Sequence, residues 1–310
     1  MKYILILFIL ILIIFFISLF MLLFSLKRDF IIKPKVEIGN NDIDRETFDL
    51  CYIGDSKTQQ RFERLSEEKE IISDDNLKLK AWFLKNDSHK YIIICHGYSG
   101  DHKDMIVSSL EYYDEGFNVL CPDARAHGES EGIFRGMGYL ERKDIKKWMN
   151  TIIENDNQAQ IVLYGVSMGA ATVMMTMCYY HPENLKCVIE DCGYGSVWEQ
   201  FKSVAISSYH MPSFPVINIA SLLSKYICKY DFKQTSIYEK IKENEVPCLF
   251  IHGQEDDFVP YRFMDELYNN DSGPKEKYTV KGANHALSKI IDPEGYKKAT
   301  RSFINKYISD

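Results

Sequence analysis

The sequence contains no C-x-x-C pair, no internal repeat and no low-complexity tract. The eight cysteines, at 51, 95, 121, 178, 187, 192, 228 and 248, sit largely inside apolar runs such as Ile94-Cys95 and Leu120-Cys121. They read as buried free thiols rather than a disulfide framework or a zinc site. Without repeats, 310 residues at 46% hydrophobic and 26% charged are enough for one large domain with a sizeable core. An excess of basic residues is missing too. The formal charge is −7, and with Lys2 set aside, 36 basic side chains face 44 acidic ones, a balance of −8. Nucleic acid is therefore not expected as a partner.

Charge of either sign is absent from Tyr3 to Leu26, a stretch made almost entirely of Ile, Leu and Phe. At about 1.5 Å per residue a helix of this length exceeds the roughly 30 Å hydrocarbon core of a bilayer. A cleaved signal peptide would have an apolar core of only about 7 to 15 residues followed by small ones. Here Lys27-Arg28-Asp29 follows, so residues 1–28 are expected to be a retained single-pass anchor. Lys27, Arg28, Lys33 and Lys35 after the span, against Lys2 and the α-amino group before it, lean towards a cytoplasmic catalytic domain. The unpaired cysteines lean the same way. A signal anchor exporting the domain is the alternative.

Residues 29–66 are polar and read as a linker with a short helix near Thr58 to Ser66. From Glu67 the pattern changes. Lys69 to Ile72 and Leu77 to Leu84, separated by Ser73-Asp74-Asp75-Asn76, form an expected antiparallel hairpin at a sheet edge. The continuous apolar run Tyr91-Ile92-Ile93-Ile94-Cys95 is of the kind found in strands buried on both faces. Helices near Lys103 to Glu115, Tyr139 to Glu154, Met168 to Tyr180, Tyr261 to Tyr268 and Tyr296 to Tyr307 then alternate with apolar strands. This predicts an α/β domain over 67–310 with a mostly parallel central sheet covered by helices. One segment, 195–232, breaks the alternation.

The chemistry is expected at Ile161 to Ala170, where an apolar run breaks into G-x-S-x-G and continues as a helix. A Ser at a sharp strand-to-helix turn holds its hydroxyl clear of the backbone, and the helix N-terminus favours negative charge developing beside it. Ser167 needs a base to take its proton and a carboxylate to orient that base. After the strand Pro247 to Ile251 comes His252-Gly253-Gln254-Glu255-Asp256-Asp257; after the last strand comes Lys281-Gly282-Ala283-Asn284-His285. Asp256 is the expected acid among three adjacent acidic residues, with Asp191 in reserve, and His285 is the expected base. The two oxyanion-hole N–H groups are expected from Met168, after the nucleophile, and Tyr98, in the turn after Cys95. His96 and the stretch Asp123 to Ser130 are expected to be structural.

The set His96-Gly97-Tyr98, Asp123-x-Arg125-x-His127-Gly128-x-Ser130, Gly165-Val166-Ser167-Met168-Gly169, His252-Gly253-x-x-Asp256-x-x-Val259-Pro260 and Asn284-His285 resembles membrane-anchored bacterial α/β-hydrolases of the Bem46-like and serine aminopeptidase-like group. The resemblance covers about Glu67 to Tyr307 and departs at Ala126, where many relatives carry Gly. It implies the α/β-hydrolase fold, with Ser167 as nucleophile, Asp256 as acid, His285 as base, and Tyr98 and Met168 at the oxyanion hole. Residues 195–232 stand where such hydrolases place a small helical lid, with Pro212 and Pro215 between two helical stretches. Trp198, Phe201, Met211 and Phe214 are candidates for an apolar acyl pocket. The expected activity is a serine esterase acting on a small-molecule or lipid-like acyl substrate, without metal or organic cofactor. A peptidase on the same triad, or a catalytically silent membrane-tethered binding module, are the alternatives.

Overall fold

The run Tyr91 to Cys95 lies in the middle of an eight-stranded sheet, and its residues divide between two cores. The computed structural model describes residues 1–30 and 43–309. In chain order, helix α1 (Lys2–Leu26) precedes α2 (Arg45–Tyr52), α3 (Ser56–Leu65), and strands β1 (Ser66–Ile72), β2 (Lys78–Leu84) and β3 (Lys90–Cys95). Next come α4 (Ile106–Asp114), β4 (Asn118–Pro122), α5 (Glu141–Asn155), β5 (Gln160–Val166), α6 (Met168–Tyr179) and β6 (Leu185–Asp191). Two consecutive helices, α7 (Val197–Ser207) and α8 (Val216–Ile227), interrupt the alternation. It resumes with β7 (Cys248–Gly253), α9 (Tyr261–Asn270), β8 (Lys275–Val280), α10 (Ser288–Ile291) and α11 (Pro293–Ile304).

The strand order is β1-β2-β4-β3-β5-β6-β7-β8, with β2 antiparallel to both β1 and β4 and every other pair parallel. Because successive side chains of a strand point to opposite faces, Ile93 and Leu163 join one core while Ile92, Ile94, Val162 and Tyr164 join the other. The first core takes α5, α6 and α9, the second α4 and α11. The parallel register aligns Cys95 with Gly165, Val166 with Asp191, Asp191 with Ile251, and Gly253 with Val280. The carboxyl ends of five strands thus share one edge, where open α/β sheets bind ligands.

The expected hairpin forms, its turn closed by Asn76 at φ 63°. β1 carries the exposed, charged Glu67, Glu68, Lys69 and Glu70, which protects a free sheet edge from pairing with another chain. The last helix starts earlier than expected, because Asp292 accepts a hydrogen bond from Gly295 N–H at 3.0 Å and Pro293 takes the first helical position. All eight cysteines are free, seven of them buried.

Helix α1 is exposed along Tyr3 to Ile13, while Ser18, Leu22 and Leu26, four residues apart, make a buried stripe. The helix packs against α8. It is long and apolar enough to cross a membrane. Part of the expected connecting stretch, residues 31–42 with Lys33 and Lys35, lies outside the described residues.

Candidate active site

Ser167 sits between β5 and α6 with φ 57° and ψ −116°, a conformation sparsely populated by residues with a side chain. Its flanking glycines make the turn feasible. A Cβ on Gly165 would lie 2.2 Å from the Gly169 carbonyl oxygen, and one on Gly169 would lie 2.1 Å from that of Cys95. Ser167 N–H donates to Asp191 O at 2.8 Å, tying the turn to the neighbouring strand.

The loop after β8 brings His285 to Ser167, with Nε2 2.8 Å from Oγ. Its Nδ1 lies 2.7 Å from Asp256 Oδ2, in the loop after β7. Burial alone would raise the Asp256 carboxyl, but the imidazoles of His285 and His252 outweigh it and hold the carboxyl far below its ordinary range. An ionised Asp256 only accepts, so it fixes the proton on His285 Nδ1 and leaves Nε2 free to accept from the Ser167 hydroxyl. The other Asp256 oxygen accepts from Phe258 N–H at 3.0 Å and Val259 N–H at 2.8 Å. The His285 loop is braced where Tyr52 of α2 donates to Ala286 O at 2.8 Å.

Asp191, the reserve acid, is elsewhere: it accepts from Tyr296 OH at 2.8 Å, and burial pushes its carboxyl up to about 6. His96 is structural. Its Nε2 accepts from Ala124 N–H at 3.0 Å while Nδ1 donates to Gly97 O at 2.7 Å. The Asp123 to Ser130 loop is held by Asp123, which accepts from His102 N–H at 2.8 Å and Glu129 N–H at 2.7 Å. Buried Arg125 pairs with Asp144 at 2.7 Å and Asp75 at 2.8 Å. The loop supports the Tyr98 turn, with His127 Nε2 2.7 Å from Tyr98 O. Among the described residues, the main-chain N–H groups of Tyr98 and Met168 have no hydrogen-bond acceptor, and both residues line the cavity at Ser167.

That cavity measures about 300 Å³, and among the described residues no charged side chain lines it. Of the four residues expected to shape it, Phe201 does; Trp198, Met211 and Phe214 do not. Trp198 turns to the ammonium groups of Lys202 and Lys233, and Phe214 points outward, 72% exposed. The wall they were expected to supply comes instead from Met21, Leu22, Phe24 and Ser25 of α1. Sequence reasoning missed these, because an uncharged run of Ile, Leu and Phe marks no face. It also assigned no role to His252, whose fully buried Nε2 lies 3.1 Å from Asp256 Oδ2. The four-residue spacing of His252 and Asp256 was the available signal. Below them Glu190, fully buried, has one oxygen on Gly193 N–H at 2.9 Å and the other unpartnered among the described residues. Burial pushes it up to about 8.

A strained Ser between strand and helix, within reach of a His that an ionised Asp orients, on the carboxyl edge of a mostly parallel sheet, defines a class. The chain belongs to the α/β-hydrolase family: residues 90–211 match the model of the alpha/beta hydrolase fold. It is 30% identical over 225 residues to the uncharacterized protein YqkD of Bacillus subtilis, covering 71% of this chain and 72% of that one. It is 24% identical over 243 residues to the uncharacterized membrane protein YNL320W of Saccharomyces cerevisiae, covering 76% of this chain and 78% of that one. Among solved structures, the Pyrococcus furiosus esterase Pf2001 superposes with a TM-score of 0.66 at 22% identity, over 82% of this chain and 95% of that one. The family resemblance carried by the motifs is thereby borne out.

Proposed function

We propose that this chain is a membrane-anchored serine hydrolase that cleaves carboxylic esters. The observation that carries the reading is the hydrogen-bonded series Asp256, His285, Ser167 opening into a cavity that no charged side chain lines among the described residues. Ser167 Oγ attacks the ester carbonyl carbon as its proton passes to His285 Nε2. The N–H groups of Tyr98 and Met168 receive the negative charge that develops on the carbonyl oxygen. As the tetrahedral intermediate collapses, the bond to the alkoxy group breaks and the His285 proton goes to the leaving alcohol. Water then attacks the acyl-enzyme, giving its proton to His285. The second collapse releases the carboxylic acid and returns that proton to Ser167 Oγ. Asp256 stays ionised throughout and stabilises the imidazolium.

In this reading α7 and α8, within 195–232, are the lid over Ser167, and α1 is the anchor. An aminopeptidase would need a carboxylate for the substrate ammonium, and among the described residues the lining offers none. The test is a panel of acyl esters and aminoacyl amides offered to the full chain and to Ser167→Ala. Ester turnover that falls about a million-fold in the variant, as nucleophile removal does in comparable enzymes, is expected. Turnover of aminoacyl amides with inert esters would favour the peptidase, and activity that survives Ser167→Ala would remove Ser167 from the mechanism.

A further inference from the structure

The end of α1 is built into the domain. A helix leaves its last carbonyls without internal partners, and here groups of the domain take them. Tyr98 OH donates to Ser25 O. Arg135, fully buried, donates from its guanidinium to Lys27 O at 3.1 Å and Arg28 O at 3.2 Å, and from its backbone to Leu26 O at 2.9 Å. Arg28 reaches back to Ser130 O at 2.7 Å and Gly128 O at 2.5 Å. Tyr98, the same residue that offers an N–H beside Ser167, thus bonds the helix that lines the cavity.

The length of α1 places this junction relative to a bilayer. From Lys2 to Ile17, ahead of the first residue buried against the domain, the helix rises about 24 Å at 1.5 Å per residue. A hydrocarbon core of roughly 30 Å needs about 20 residues. The docked turns must therefore lie inside the apolar layer for α1 to cross it, and they carry α8 with them. The adjoining surface suits that depth: Ile206, Phe214, Leu222 and Tyr226 of the α7–α8 region are each more than half exposed. Such an apolar patch is costly in water and favourable against lipid tails.

We infer that α1 is one wall of the acyl-binding pocket, that the pocket opens sideways to the bilayer between α1 and the α7–α8 region, and that the substrate is a membrane-resident ester with a long acyl chain. Met21, Leu22 and Phe24 then hold the chain from one side and Phe201 and Ile217 from the other, with the carbonyl at Ser167. This rests on the ester-hydrolase reading above and on α1 as a membrane anchor.

The test uses the full chain in phosphatidylcholine vesicles and a monoacylglycerol whose palmitoyl chain carries a diazirine. In Ser167→Ala, photolysis is expected to attach the probe to both Phe24 and Phe201, with unlabelled monopalmitoylglycerol competing. Adducts confined to Tyr3–Ile17, or absent from the cavity, would overturn the inference. Met21→Trp, which fills the cavity from α1, is expected to lower the yield at Phe201 at least tenfold, whereas Phe8→Ala, on the exposed part of α1, leaves it as it was. An unchanged yield in Met21→Trp at the wild-type melting temperature would also overturn it. Diluting the probe with added phosphatidylcholine at constant bulk concentration should lower the yield in proportion; no change would contradict entry from the bilayer. Hydrolysis of the same probe by the wild-type chain is read separately. Adducts at Phe24 and Phe201 without hydrolysis would support the α1 wall and refute the ester-hydrolase reading.

Discussion

Glu190→Gln should make this protein more stable at alkaline pH and leave its stability at pH 5 almost unchanged. Glu190 ends fully buried on β6, with one oxygen on Gly193 N–H and the other lacking a partner among the described residues. Burial dominates and raises the group to about 8 from an ordinary value of 4.5. The sign follows from linkage. The folded state holds the proton more tightly than the unfolded chain, so the contribution to stability is fully present below about pH 4.5 and is lost as pH rises to about 8. At about 1.4 kcal/mol per pH unit, the loss across that window is on the order of 5 kcal/mol. Gln reproduces the shape of the protonated carboxyl and cannot ionise, so it removes the loss. With about 2 °C per kcal/mol for a domain of this size, the variant should melt roughly 10 °C above wild type at pH 8.5. The assay is thermal unfolding by near-ultraviolet circular dichroism of both proteins in one detergent, from pH 5 to 8.5. A difference in Tm that stays flat across the range would refute the reasoning.

Three further outcomes follow from the site and its supports. Asp256→Asn should lower ester kcat by about 10⁴-fold at an unchanged melting temperature, because the amide no longer fixes the His285 tautomer; Asp191→Asn, whose partner is Tyr296, should cost less than tenfold in the same assay. Gly169→Ala should lose the folded protein or lower its Tm by several degrees, since the new Cβ would meet backbone oxygens of Cys95 and His96 at 2.1 and 2.7 Å. Arg135→Ala strips the end of α1 of its donors, each lost partner costing about 1–3 kcal/mol. Tryptic cleavage after Arg28 in detergent micelles should therefore speed up at least tenfold, and Arg135→Lys, which lacks the planar fork, should restore little of the protection.

The fold was legible because the decisive patterns are local. Tyr91 to Cys95 is too apolar for anything but a strand buried on both faces, and Ser73 to Asn76 is turn chemistry between two alternating stretches. Ser167, Asp256 and His285 follow strands that end on one edge, so chain order alone brought them near one another. What the sequence hid depends on which way a face turns. Phe214 and Trp198 have the right composition for a pocket, but packing directs one to the surface and the other onto lysines. Met21 and Phe24 belong to an apolar run whose every face looks alike, so only the docking of α1 on α8 and Arg135 selects the face at Ser167. His252 looked like the end of a strand; its contact with Asp256 depends on the return of the loop after β7.

The proposed mechanism stands on Ser167 as an activated nucleophile. Intact mass spectrometry of the full chain after exposure to a fluorophosphonate tests it most directly. A single adduct is expected on wild type, located to the peptide containing Ser167, and none on Ser167→Ala or His285→Ala at the same time and concentration. An adduct that forms at the wild-type rate on Ser167→Ala, or no adduct on a folded wild-type chain, would contradict it.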